Sequence, residues 1–200
     1  MSYLKYSSIS SSSIPIDIKI TILGKGVVGK SSLTFRFMNS EIPKEHDPTI
    51  EDRYKTTLQI NNEEVTIELL DTAGEDDYQN MLDMWINYGD AFFLVFAIND
   101  QESFKVLEKK REKIIKMKGK NVPIVLIGNK NDLNNERKIQ FKDAKNLAKK
   151  WGIDYIETSA KNNINCNEAL ELIVMKLKKS GDKSIVSIQE KRKCGCCQIF

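Results

Sequence analysis

Apolar residues recur along this chain with two periods. From 16 to 23, Ile16, Ile18, Ile20 and Ile22 alternate with Asp17, Lys19 and Thr21 and close on Leu23, the period-two signature of a strand. Unbroken apolar runs at 91–98 and 122–128, with a shorter one at 153–156, predict strands buried on both faces. Residues 51–60 and 64–71 are also strand-like, and Asn61-Asn62 between them is good hairpin chemistry. Helical spacing covers 30–39, 103–117, 139–151 and 167–177, whereas 40–50, with Pro43 and Pro48, cannot stay helical. Trp85, Trp151, Met81 and Met84 are expected to pack inside. Strands that alternate with helices predict an α/β fold, a doubly wound, mostly parallel six-stranded sheet with helices on both faces.

The same pattern divides the chain. Residues 1–15 are serine-rich without sustained periodicity and predict a flexible extension; 16–180 form the domain; 181–200 form a basic tail.

Candidate chemistry begins where the first strand meets the first helix, at Gly24-Lys25-Gly26-Val27-Val28-Gly29-Lys30-Ser31. Glycines at its ends allow a tight turn in which successive backbone N–H groups face an anion. Lys30 adds charge, Ser31 offers a hydroxyl to magnesium, and the helix dipole points at the same spot. A P-loop between a strand and a helix is the setting that separates this pattern from a mere glycine-rich turn.

Downstream, Asp71 ends an apolar strand and is followed by Thr72-Ala73-Gly74, which places a carboxylate on the magnesium side and a small backbone near the terminal phosphate. Asn129-Lys130-Asn131-Asp132 follows the fifth strand, at the carboxyl end of the sheet where ligands of such folds bind. A carboxylate at Asp132 can accept from the N1–H and 2-amino groups of guanine, a donor pair that adenine lacks. Ser159, Ala160 and Lys161, after the sixth strand, supply a loop whose backbone N–H could meet the guanine O6.

Together, 24–31, His46-Asp47-Pro48-Thr49-Ile50-Glu51-Asp52, Asp71 to Gly74, Asn129 to Asp132 and Glu157-Thr158-Ser159-Ala160-Lys161 resemble the small GTPases of the Ras family, five motifs in order from about 17 to 179. The resemblance implies GTP and GDP as ligands, magnesium held by Ser31, Thr49 and Asp71, and Lys30, Gly74 and Glu75 in the catalytic positions. It adds Ser32 and Ile42 to the nucleotide contacts. It places a first switch at 43–52 and a second at 71 to about 85, and an effector surface at His46, Asp47, Pro48, Thr49, Ile50, Glu51, Asp52 and Tyr54. The partners implied are an exchange factor, a GTPase-activating protein and effectors with Ras-binding domains, met by a monomer.

Four positions depart from that family. Glu75 stands where most members have a Gln; an ionised carboxylate only accepts, whereas an amide also donates to the transferring phosphoryl group. Ile42 replaces a Phe over the guanine, which removes roughly 0.5–1.5 kcal/mol of stacking and predicts faster nucleotide release. His46 replaces a Tyr, and Val27 a Gly.

Charge changes the picture only at the end of the chain. The formal net charge is +3, yet 176–193 holds seven basic and two acidic residues. A nucleic-acid ligand is not expected, because nothing in the body of the chain supports one. The last four residues, Cys197-Gln198-Ile199-Phe200, have the form of a prenylation signal whose terminal Phe favours geranylgeranyl. Cys194 and Cys196 could take palmitate, and Lys191-Arg192-Lys193 could meet an anionic membrane, so the expected location is the cytoplasmic face of a membrane. A metal-binding or merely reactive Cys-Gly-Cys-Cys cluster is the alternative. Cys166 reads as a small packing residue. Beside the leading reading, a membrane-anchored GTPase switch, stand a GTP-binding module too slow to reset itself and, more distantly, a P-loop kinase or ATPase.

Overall fold

The computed structural model describes residues 16–43, 49–60, 63–74 and 81–179. Six strands form one sheet: β1 (Ile16–Gly24), β2 (Glu51–Ile60), β3 (Glu63–Thr72), β4 (Ala91–Ala97), β5 (Ile124–Asn129) and β6 (Asp154–Glu157). Their spatial order is β2-β3-β1-β4-β5-β6, with β2 antiparallel to β3 and every other pair parallel. The helices are α1 (Lys30–Phe37), α2 (Leu82–Tyr88), α3 (Gln101–Lys118), α4 (Phe141–Trp151) and α5 (166–179). None of them is long and apolar enough to cross a membrane.

The period-two rule sorts the core. Along β4 every residue is buried, but Phe93 and Val95 point to the face covered by α1 and α5, while Phe92, Leu94 and Phe96 point to the face covered by α2, α3 and α4. Leu33, Phe37, Ile173 and Val174 complete the first core; Trp85, Ile86, Leu107, Ile114 and Trp151 complete the second. Truncating a fully buried ring such as Phe93 to Ala costs about 3–5 kcal/mol.

Two expectations shift. β5 begins at Ile124 instead of 122, because Pro123 has no N–H for the ladder, although its carbonyl still accepts from Phe92 N at 3.0 Å. Met84 is 50% exposed and does not pack inside, whereas Trp85 and Trp151 are buried as expected. Asn61-Asn62 lies outside the described residues, but the β2–β3 register runs through Ile60↔Glu63 up to that turn. The strand order reverses between β1 and β4, so the crevice at their carboxyl ends is where a ligand fits.

Candidate nucleotide-binding site

At that crevice the loop glycines are required by contact. A Cβ on Gly24 would lie 2.3 Å from the Val95 carbonyl oxygen, and one on Gly29, at φ 90°, would lie 2.6 Å from Asn129 Nδ2. Gly74 comes closest of all, because a Cβ there would stand 2.2 Å from Gly26 N. That approach is used: Gly26 N–H donates to the Gly74 carbonyl at 2.9 Å and joins the P-loop to the segment after β3. Val27 holds φ 64° with its side chain 88% exposed, so its β-branch costs roughly 1–2 kcal/mol of backbone strain but does not enter the cradle.

Lys30 opens α1 and is buried, its Nζ donating to the Lys25 carbonyl at 3.0 Å. Burial pushes its pKa down to about 8, against the pull of the Asp71 carboxylate. Lys25 turns its own ammonium to Asp100, 3.4 Å away, which leaves that residue only its backbone for a phosphate. Ser31 Oγ and Thr49 Oγ1 stand 3.1 Å apart, and Asp71, fully buried, sits in register with Ile22 of β1. Among the described residues no three His, Cys, Asp or Glu side chains converge, so a metal here would be held through two hydroxyls and one carboxylate. An all-oxygen donor set of that kind suits a hard cation such as magnesium.

The other end of the crevice is braced by side chains. Asn129, at the end of β5, donates through Nδ2 to the Val28 carbonyl at 2.9 Å. Its Oδ1 accepts from Thr158 Oγ1 at 3.0 Å and from Ala160 N at 3.3 Å, so one amide ties the P-loop to the 158–160 loop. Asp132 lies in a 3-10 segment, Asn131–Glu136, and its Oδ1 accepts from Ser159 Oγ at 2.5 Å. Lys130, just before, takes φ 67° and stays half-buried. Arg36, from α1, donates to the carbonyls of Ala160 and Lys161 at 2.7 and 3.2 Å.

Beneath these loops Arg137 meets Glu157 through two hydrogen bonds of 2.7 and 2.8 Å and donates to Asn131 Oδ1 at 3.2 Å. Tyr155 donates its hydroxyl to the same carboxylate at 2.7 Å, and burial with that bond raises the phenol above its ordinary range. Cys166, buried at the start of α5, has its thiol pushed up to about 11 by burial, as a packing residue should.

The remaining candidates divide by exposure. Ile42 is half-buried and packs on the core shared with α1 and α5; Ser32 is half-buried in the first turn of α1. Along the effector stretch Ile50 is 52% exposed and Asp52 is exposed, while Tyr54 is half-buried with its ring edge-on to Phe35 at 5.7 Å. Glu51 is the least displayed, because its carboxylate accepts from the Trp85 indole at 2.9 Å and from Arg53 at 2.8 Å. Those bonds, with Ala73 N donating to the Ile50 carbonyl at 2.9 Å, join the start of β2 to α2 and the end of β3. His46, Asp47, Pro48, Glu75, Cys194, Cys196 and Cys197 lie outside the described residues. Sequence reasoning missed Arg36, Arg137 and Tyr155 as braces; the apolar spacing of Leu82, Trp85 and Ile86 was the one signal for α2.

Comparison with known proteins places this geometry. The model of the Ras family matches residues 19–179. The Ras-related protein O-RAL of Diplobatis ommata is 37% identical over 173 residues, 83% of this chain and 84% of that protein. The Ras-like protein rasB of Dictyostelium discoideum is 39% identical over 169 residues, 84% of this chain and 86% of its own length. The Ras-related protein Ral-a of Drosophila melanogaster is 36% identical over 179 residues, 88% and 89% of the two chains.

Proposed function

The chain belongs to the Ras family and is a GTP-binding signalling switch that hydrolyses GTP, and from that premise we propose which residues do the work. The observation that carries the assignment is the Asn129 amide, which holds the P-loop and the 158–160 loop at fixed separation, so that one ligand spans both. Asp132 takes the guanine edge through its carboxylate, with Ser159 holding it in place, and the Ala160 loop meets O6. Lys30, Gly26 and the start of α1 take the phosphates. Lys30 Nζ spends one of its three N–H donors on the Lys25 carbonyl, which leaves the others for anionic phosphate oxygens, whose charge-assisted bonds are roughly twice as strong as one to a neutral acceptor.

Ser31, Thr49 and Asp71 would hold magnesium, which when bound neutralises charge on the phosphate oxygens. Thr49 lies one residue before the Ile50 carbonyl that engages Ala73, so its engagement would be transmitted to α2 through Glu51 and Trp85. In hydrolysis a water oxygen attacks the γ-phosphorus while the bond to the β,γ-bridging oxygen breaks; Lys30 stabilises the charge that develops. Glu75 stands beside that water by resemblance and can accept its proton, but offers no hydrogen to the transferring group.

Effectors would pair with the exposed edge of β2 around Ile50, Asp52 and Tyr54. Prenylation at Cys197, aided by the basic run and by palmitate on Cys194 or Cys196, would hold the switch on a membrane. The domain boundaries at 16 and 180 belong to the same reading. Glu75 favours a second reading, a GTP-bound module that resets too slowly to cycle. Single-turnover hydrolysis with and without a GTPase-activating protein separates the two: Glu75→Gln should raise the stimulated rate by roughly tenfold or more. An unchanged rate removes Glu75 from the reaction. For the anchor, Cys197→Ser should release the protein from membranes, and retention there would overturn prenylation.

A further inference from the structure

At the opposite end of the sheet from the nucleotide site lies a basin of about 510 Å³, lined by the start of β5, the end of α4 and the last turns of α5 against α3. β5 alone separates the two sites, a distance of roughly 16 Å along the strand. Among the described residues four cations line the basin, Arg111, Lys120, Lys176 and Lys179, and no carboxylate does. Lys176 is held by Asp154 outside the lining, at 2.9 Å, while Lys120 and Lys179 are exposed.

Arg111 is built into the wall. Its guanidinium lies over the Trp151 ring, 5.1 Å from the centroid, and donates to the Trp151 carbonyl at 3.3 Å. Its Nε is buried and meets no acceptor among the described residues. The stacking fixes a planar fork beside the exposed Lys120 and Lys179, an arrangement that suits phosphate oxygens better than a single carboxylate. Nothing in the GTPase cycle described above uses it.

We propose that this basin binds a polyanion carrying at least two phosphates, of the kind displayed by a phosphorylated inositol headgroup. The proposal does not need the tail to be lipidated, although Lys183, Lys191, Arg192 and Lys193 follow Lys179 in the sequence.

The test uses the full chain, unlipidated and loaded with GDP and magnesium so that the P-loop is filled. Soluble inositol trisphosphate is titrated while backbone amide shifts are followed, and binding to phosphatidylcholine vesicles with and without phosphatidylinositol bisphosphate is measured alongside. Saturable shifts at Arg111, Lys120, Trp151 and Lys179 are expected. Lys120→Gln and Lys179→Gln should each weaken binding about fivefold, Lys120→Arg should restore it, and GDP affinity should not change. Binding to both probes identifies a lipid headgroup as the source, and binding to the soluble probe alone a free polyphosphate. The proposal is overturned if neither probe binds, if the Gln variants bind like the parent, or if neutralising Lys191, Arg192 and Lys193 alone abolishes the binding.

Discussion

The two ends of the crevice are built on different principles. At the base end polar side chains hold one another: Asn129 joins the P-loop to the 158–160 loop, Ser159 holds Asp132, Arg36 holds the 160–161 carbonyls, and Arg137 pairs with Glu157. At the phosphate end a buried ammonium rests on a neutral carbonyl, and its proton affinity has already fallen toward neutrality. One end is rigid before any ligand arrives; the other is an electrostatic demand that a ligand's charge meets. Recognition of the base therefore costs little reorganisation, while the phosphates supply counter-charge to the buried ammonium, which lacks a full partner.

The largest effect that separates the two ends comes from Asp132→Asn. The amide can still accept from Ser159 Oγ, so the loop keeps its shape, but the guanine donor pair loses its acceptor. A site built around a hydrogen bond rejects a mismatched partner by up to roughly 10⁴-fold, so GTP and GDP affinity should fall steeply while xanthine nucleotides gain. Competition binding measures both. Equal affinity for GTP in parent and variant would mean that the rigid end does not read the base.

Next comes Arg137→Met. Glu157, with its side chain 9% exposed, would keep only the Tyr155 hydroxyl against its charge. Breaking such a buried pair costs about 3–5 kcal/mol, readable as a shifted urea midpoint. Arg137→Met with Glu157→Gln should recover much of that, because the stranded charge is gone. GDP affinity should follow the single variant downward, since Asn131 and the base loops lose their brace; if stability falls and affinity does not, bracing and recognition are separate.

The contrast also explains what could be read from the chain. Strands β4 and β5 were visible because a strand buried on both faces must be apolar throughout, β1 because its isoleucines alternate with Asp17, Lys19 and Thr21, and the P-loop because glycine alone fits against Val95 and Asn129. Asp132 and Asn129 were found by their place after a strand. The braces were not, because Arg36 and Ala160 are 124 residues apart, and no local pattern marks a guanidinium that reaches so far. The seven residues of α2 carry too few turns for a period to show, which is why Met84 was assigned inward. The bonds by which the Asn129 amide joins the P-loop to the 158–160 loop were not legible, because both partners lie far from it in the chain.

The smallest effect of the three tests the phosphate end directly, through pH. Lys30 has a folded-state pKa of about 8 against 10.5 for an unperturbed lysine. Below pH 8 both folded and unfolded chains hold the proton, so burial of the charge destabilises the nucleotide-free fold by about 3 kcal/mol, independent of pH. Between 8 and 10.5 the unfolded chain binds more protons than the folded one, so this group makes stability rise with pH, by roughly 1 kcal/mol at pH 9. Tyr54, Tyr88, Tyr155 and Cys166 oppose it from about pH 9 upward, because their raised folded-state pKa values mean that the unfolded chain deprotonates first. Lys30→Met keeps those groups and removes the ammonium, so the difference between the two denaturation curves isolates Lys30. The nucleotide-free variant should be the more stable protein at pH 7, and the gap should narrow by about half as pH rises to 9. With GDP bound, the phosphates restore the ammonium's counter-charge, the parent's stability should lose its rise with pH, and binding above pH 8 should take up a proton measurable by calorimetry in buffers of different ionisation enthalpy. Parallel curves for parent and variant would show that the buried ammonium is already balanced by Asp71, and that the phosphate end is as self-sufficient as the base end.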